Sequence, residues 1–210
     1  MKHKSNQWNR FRYTLYAPVY DYFAFIFKKS RKKSIDSLDV KPGEKVLIVG
    51  AGTGLDLEFL PAGCEIFATD ITPSMVKRIA ERNRRLKLNV QVAVMDGQAL
   101  RFADNYFEKV ILHLILAVIP DPIACIKESE RVLKQGGRLA VYDKFVRKGR
   151  KASWLRRLIN IFANFLMTDI ARDFDSILNN TDLKVVFDEP ADFRGNFRLI
   201  QLKKKPILDL

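Results

Sequence analysis

The sequence predicts an α/β fold: one doubly wound domain on a mostly parallel seven-stranded sheet, closed at one edge by an antiparallel hairpin. Three observations lead there. Seven short apolar runs recur at 45–49, 65–69, 90–95, 109–113, 138–142, 183–188 and 197–202. Stretches of helical periodicity separate the early runs, which implies parallel pairing through right-handed crossovers. The last two runs are divided only by a turn around 193–196, too short for a helix and suited to an edge hairpin.

The elements follow in order. From Tyr16, apolar residues at 16, 19, 20, 23, 26 and 27 form a helical stripe, and Lys28, Lys29, Arg31, Lys32 and Lys33 come directly after it. Residues 1–40 are therefore expected to form a basic, aromatic helical lid. A ligand-binding core spans 41–145, and a helical cover with the hairpin spans 146–210, all within a single domain of 210 residues. The first strand, 45–49, runs into Gly50-Ala51-Gly52-Thr53-Gly54 and then a helical stretch. A helix at 73–86 opens on Thr72 as N-cap with Pro73 in its first turn. A further helix at about 121–134 meets Gly136-Gly137, a stop signal. In 154–167 the polar residues Arg156, Arg157, Asn160 and Asn164 fall on one narrow arc of an otherwise apolar helix.

Composition limits the chemistry. Two cysteines, Cys64 and Cys125, in apolar runs read as buried thiols, and two histidines make a zinc or iron centre improbable. The longest apolar stretch, 110–119, is too short to span a bilayer, and the first twelve residues lack the apolar core of a signal peptide. A reducing, cytoplasmic location is expected. The net charge of +13 is concentrated in residues 1–33, at +8, and 144–157, at +7. Two basic segments in an otherwise near-neutral chain point to an anionic surface.

The ligand site is the most informative part. Glycines after a strand allow a tight turn and close backbone approach to a ligand. The second strand ends at Asp70, 20 residues beyond Gly50, where an acid can accept from both ribose hydroxyls. The third ends in Met95-Asp96-Gly97, bringing a second carboxylate that can accept from an adenine amino group. A dinucleotide fingerprint would require glycine at position 55, where Leu55 stands. Asp56 and Glu58 add negative charge to the turn that a pyrophosphate would need free. An adenosyl sulfonium carries no phosphate, so methyl transfer is favoured over hydride transfer.

On these motifs the chain resembles class I S-adenosylmethionine-dependent methyltransferases, of the group that includes the ubiquinone/menaquinone methyltransferases. The resemblance covers about residues 10–145. It implies S-adenosylmethionine held by Gly50, Gly52, Gly54, Asp70, Asp96 and Gly97, with Gln98 nearby and Ile71 against the adenine. His113 and Leu114, at the end of the fourth strand, would line the methyl-transfer face. The run Tyr13-Thr14-Leu15-Tyr16-Ala17-Pro18-Val19-Tyr20-Asp21, with 94–96 and 116–122, is similar to bacterial phosphatidylethanolamine N-methyltransferases. That similarity implies Tyr20 as a lid residue near the cofactor carboxylate, and Tyr13 and Tyr16 near the acceptor.

The expected reaction is in-line displacement, in which an acceptor lone pair takes the sulfonium methyl and S-adenosylhomocysteine leaves. An amine acceptor must shed a proton, for which His113 and Tyr20 are the candidates. A basic amphipathic segment suits peripheral contact with an anionic membrane, so the acceptor reading is a phospholipid amine headgroup. The alternatives are C- or O-methylation of a quinone or other small apolar acceptor, and a non-catalytic adenosyl-nucleoside-binding protein. Nucleic acid is disfavoured: His113-Leu114-Ile115-Leu116 stands where base amino-methylases carry an Asn/Asp-Pro-Pro-aromatic motif.

Overall fold

The computed structural model describes residues 27–145, 172–179, 181–192 and 196–206. Helix α1 (Lys28–Ser37) leads into β1 (Lys45–Val49), a 3-10 turn (Leu55–Phe59), β2 (Glu65–Asp70), α2 (Pro73–Leu86) and β3 (Val90–Val94). Then come β4 (Phe107–His113), α3 (Pro122–Val132), β5 (Leu133–Lys144), α4 (Phe174–Leu178), β6 (Leu183–Pro190) and β7 (Phe197–Lys204). The strands form one sheet in the order β3-β2-β1-β4-β5-β7-β6. The first five pair in parallel, whereas β7 lies antiparallel to both β5 and β6, giving the predicted edge hairpin.

The central strands are continuously apolar because both faces are covered. Alternation sends Leu47, Val49, Phe67, Val110, Leu112 and Val141 to one core. Val46, Ile48, Ile66, Ala68, Ile111 and Ala140 go to the other. β1 pairs with β2 on one side and β4 on the other. The winding therefore reverses between β1 and β4, and the crevice beyond their carboxyl ends is where such sheets bind ligands.

Thr72 stands at the N-cap of α2 as expected, but its side chain makes no capping bond; its N–H donates to Asp70 Oδ1 at 2.8 Å. Two further expectations are corrected. The Gly136-Gly137 pair does not end α3, which stops at Val132. The fully buried Leu133 pairs with Phe107, and Lys109 next pairs with Arg138, so 134–137 loop out of the ladder around Gly136 at φ 73°. Of the two cysteines only Cys125 is buried; Cys64 is half-buried, with its thiol directed at the Pro61 carbonyl.

Most of the basic run on α1 has acidic partners within the chain, one of them buried. Arg31 is buried and pairs with Asp56, and Lys28 lies 3.6 Å from Glu58. Lys32 pairs with Asp36 at 2.6 Å, and Lys33 with Glu189 at 2.5 Å. The helix is seated against β5, β7 and the 3-10 turn. Among the described residues no helix is long and apolar enough to cross a membrane.

Candidate active site

Four segments leaving the carboxyl ends of β1 to β4 converge on one cleft of about 690 Å³, open to solvent. Gly50 and Gly52 come from β1, Asp70 and Ile71 from β2, Asp96 and Gly97 from the β3 exit, and His113 from β4. With Leu114, next to His113, eight predicted site residues thus share one cavity.

The glycines are there for want of space as well as for backbone freedom. Gly50 has φ 66°, and a Cβ at that position would lie 2.4 Å from Ile115 Cδ1. A Cβ on Gly97 would come within 2.8 Å of Val49 Cγ1. Either side chain would push into the cleft wall.

Asp70 ties two segments together. Its Oδ2 accepts from Gly52 N at 2.9 Å, and its Oδ1 accepts from Thr72 N. Burial raises its carboxyl above the usual range although these two amides oppose the shift. Each oxygen keeps a lone pair for a ligand hydroxyl. Asp96 is held by Gln98, whose backbone N–H donates to Oδ1 at 3.0 Å and whose Nε2 reaches both oxygens at 2.9 and 3.1 Å. The Gln98 side-chain carbonyl accepts from Asp121 N at 2.9 Å, and Asp121 caps α3 by accepting from Ala124 N.

Two predicted binding residues lie outside the lining of this cleft. Gln98 is a brace behind Asp96, outside the cleft lining. Gly54, at φ 79°, opens the 3-10 turn and also lies outside the lining. Tyr13, Tyr16 and Tyr20 lie outside the described residues.

His113 requires a sharper correction. Its Nδ1 is 2.9 Å from Asp56 Oδ1 and its Nε2 is 2.9 Å from Ser34 Oγ. The ring lines the cleft, but both nitrogens are engaged, so neither is open to a proton from an acceptor. Asp56 is itself 2% exposed, with Oδ2 held by Arg31 Nη1 at 2.8 Å. Burial works to raise its carboxyl, but Arg31 and His113 outweigh it and hold it well below the usual carboxylate range. Glu58 is likewise occupied, by Arg82 at 2.6 Å. The negative charge that the sequence places at this turn is thus balanced by partners within the chain.

The remaining wall was not legible in the sequence. Met75 reaches the cleft from α2, and Ile115, Val118, Ile119 and Pro120 come from the segment after β4. Between them sits Leu114 at φ 59°, a conformation disfavoured for a leucine. Its N–H donates to Tyr142 O at 2.8 Å, which holds the segment turned over the cleft.

Residues 47–141 match the family described as Methyltransferase domain. The chain is 24% identical over 190 residues to a phosphatidylethanolamine N-methyltransferase of Cereibacter sphaeroides, covering 89% of this chain and 93% of that protein. It is 39% identical over 114 residues to a demethylmenaquinone methyltransferase of Corynebacterium efficiens, of which it spans about half, 47%. A SAM-dependent methyltransferase of Methanosarcina mazei superposes with a TM-score of 0.64 at 20% identity, over 82% of this chain and 97% of that one. That structural likeness bears on the fold alone. Together with the family match over the cleft-bearing strands, the sequence relatives support an S-adenosylmethionine-dependent methyltransferase.

Proposed function

We propose that the chain methylates the amine of a phospholipid headgroup at a membrane surface. The observation that carries this reading is the extent of the match: the phosphatidylethanolamine N-methyltransferase aligns over nearly its whole length and nearly all of this chain. The demethylmenaquinone enzymes align over about half of theirs. The concentrated positive charge of residues 144–157 supports the same acceptor, because anionic lipid attracts each cation by about 1 kcal/mol.

In this reading the cofactor supplies an electrophilic methyl, and the protein supplies alignment and dehydration. The Asp70 carboxylate accepts from the ribose hydroxyls, and Asp96, braced by Gln98, accepts from the adenine amine. Ile71 covers the base, and Gly50, Gly52 and Gly97 let the ligand approach the backbone. Leu114, Ile115 and Val118 form the apolar wall against which the acceptor sits. The sequence resemblance assigns Tyr20 to the lid and Tyr13 and Tyr16 to the acceptor, whose methylated nitrogen aromatic rings attract by about 0.5–2 kcal/mol. The amine's proton leaves through Tyr20 or solvent, since His113 is committed to Asp56 and Ser34.

The test is transfer of labelled methyl from S-adenosylmethionine into vesicles containing phosphatidylethanolamine. Label in mono- and dimethylated headgroups is expected. The higher local identity to demethylmenaquinone methyltransferases favours a second reading, a quinone acceptor. Label in added demethylquinone and none in phospholipid would replace the first reading with the second.

A further inference from the structure

A buried polar unit stands beside the cleft, formed by side chains from three elements. Arg31 and Ser34 project from α1, Asp56 from the 3-10 turn and His113 from the end of β4, and none is more than 4% exposed. The chain of contacts is continuous: Arg31 Nη1 to Asp56 Oδ2 at 2.8 Å, Asp56 Oδ1 to His113 Nδ1 at 2.9 Å, and His113 Nε2 to Ser34 Oγ at 2.9 Å. The Asp56 carboxylate accepts from Nδ1–H, so in the neutral ring Nε2 accepts from the Ser34 hydroxyl. Burying such ions is costly, and apolar residues of similar volume often hold a fold equally well. What the ionic arrangement adds is geometry, since each partner fixes the next in one orientation.

Its position gives that geometry a use. Asp56 lies two residues beyond Gly54, on the turn that continues the Gly50–Gly52 loop, and His113 lines the cleft itself. Displacing either the loop or the β4 end would draw Asp56 or His113 away from its partners on α1. We propose that Arg31, Ser34 and Asp56 are positioning residues that act through His113 and the glycine loop, coupling the seating of α1 to occupation of the cofactor cleft. The proposal rests on the placement of the cofactor in this cleft. By reciprocity, a ligand that favours the ordered cleft tightens α1, and loosening α1 weakens the ligand by the same factor.

The experiment is hydrogen exchange over α1 in the full chain, with and without saturating S-adenosylhomocysteine, alongside calorimetric affinity. It compares the wild type with Ser34→Ala and with the neutral pair Arg31→Met/Asp56→Asn, in which the amide carbonyl introduced by the second substitution can still accept from His113. Expected are slower α1 exchange on ligand binding in the wild type and, in both variants, about tenfold weaker binding with the circular-dichroism spectrum unchanged. A merely structural pin would change stability without making α1 exchange ligand-dependent. Tight binding that leaves wild-type α1 exchange unaltered, or variant affinities within twofold of the wild type, would overturn the coupling alone. No binding of S-adenosylhomocysteine to the wild type would overturn the placement of the cofactor and the coupling with it.

Discussion

At the scale of single residues, two carboxylates illustrate what can and cannot be inferred from position in the chain. Asp70 was legible because a strand-end acid 20 residues past the glycine loop has one obvious use. Asp70→Ala is expected to weaken S-adenosylhomocysteine at least tenfold by calorimetry, since hydrogen bonds to a charged group contribute about 1.5–3 kcal/mol. Asp56 and His113 were misread because their partners are remote: Asp56 lies 57 residues from His113, and Ser34 lies 79. No local pattern distinguishes such a histidine from a free base. Asp143 is a third buried acid, held by Ala117 N–H and Lys144 N–H, and burial pushes it up to about 6 against those two amides. The folded state therefore binds a proton that the unfolded chain releases between about pH 4 and 6. Its contribution to stability is complete below the unfolded value and lost as pH rises through about 6, a change of about 3 kcal/mol. Asp56 acts in the opposite sense, its stabilisation being present above about pH 4 and lost as pH falls. Urea midpoints across pH 4–7 should show the Asp143 decline in the wild type and a flatter profile in Asp143→Asn.

At the scale of elements, all seven strands were legible as short apolar runs; the central ones are buried on both faces, whereas the edge strand β6 leaves Val185 and Val186 exposed. The boundary between α3 and β5 was not legible. Glycines usually end helices, and here they open a bulge inside a strand whose first residue, Leu133, is pulled into the ladder by its own burial. Gly136 has φ 73° and open space around the position of a Cβ. Gly136→Ala should then cost about 1–2 kcal/mol from backbone strain alone, measured by chemical denaturation, with no loss of cofactor affinity. For α1 the expected cost is larger. Arg31→Ala strands a buried Asp56, and the denaturation free energy should fall by about 3–5 kcal/mol.

At the scale of the whole molecule, the charge asymmetry takes on a different meaning once the helix is in place. Lys28, Arg31, Lys32 and Lys33 all have acidic partners within the chain, so the first basic segment contributes less free charge than its count suggests. The second segment is then the stronger candidate for lipid contact. Replacing Arg147, Lys148, Arg150 and Lys151 with alanine should weaken flotation with anionic vesicles by about 1 kcal/mol per residue, and added salt should erase the difference. The topology also has a consequence for the unusual leucine beside the cofactor. Every described residue that lines the cleft falls between Gly50 and Pro120, yet Leu114 keeps its left-handed turn by bonding to Tyr142 and packing near Phe197. The C-terminal strands thus act as a buttress for a chamber they never touch. Shortening the chain before β7 would leave each wall residue in the sequence yet remove Phe197 from behind Leu114 and the strand that pairs with Tyr142.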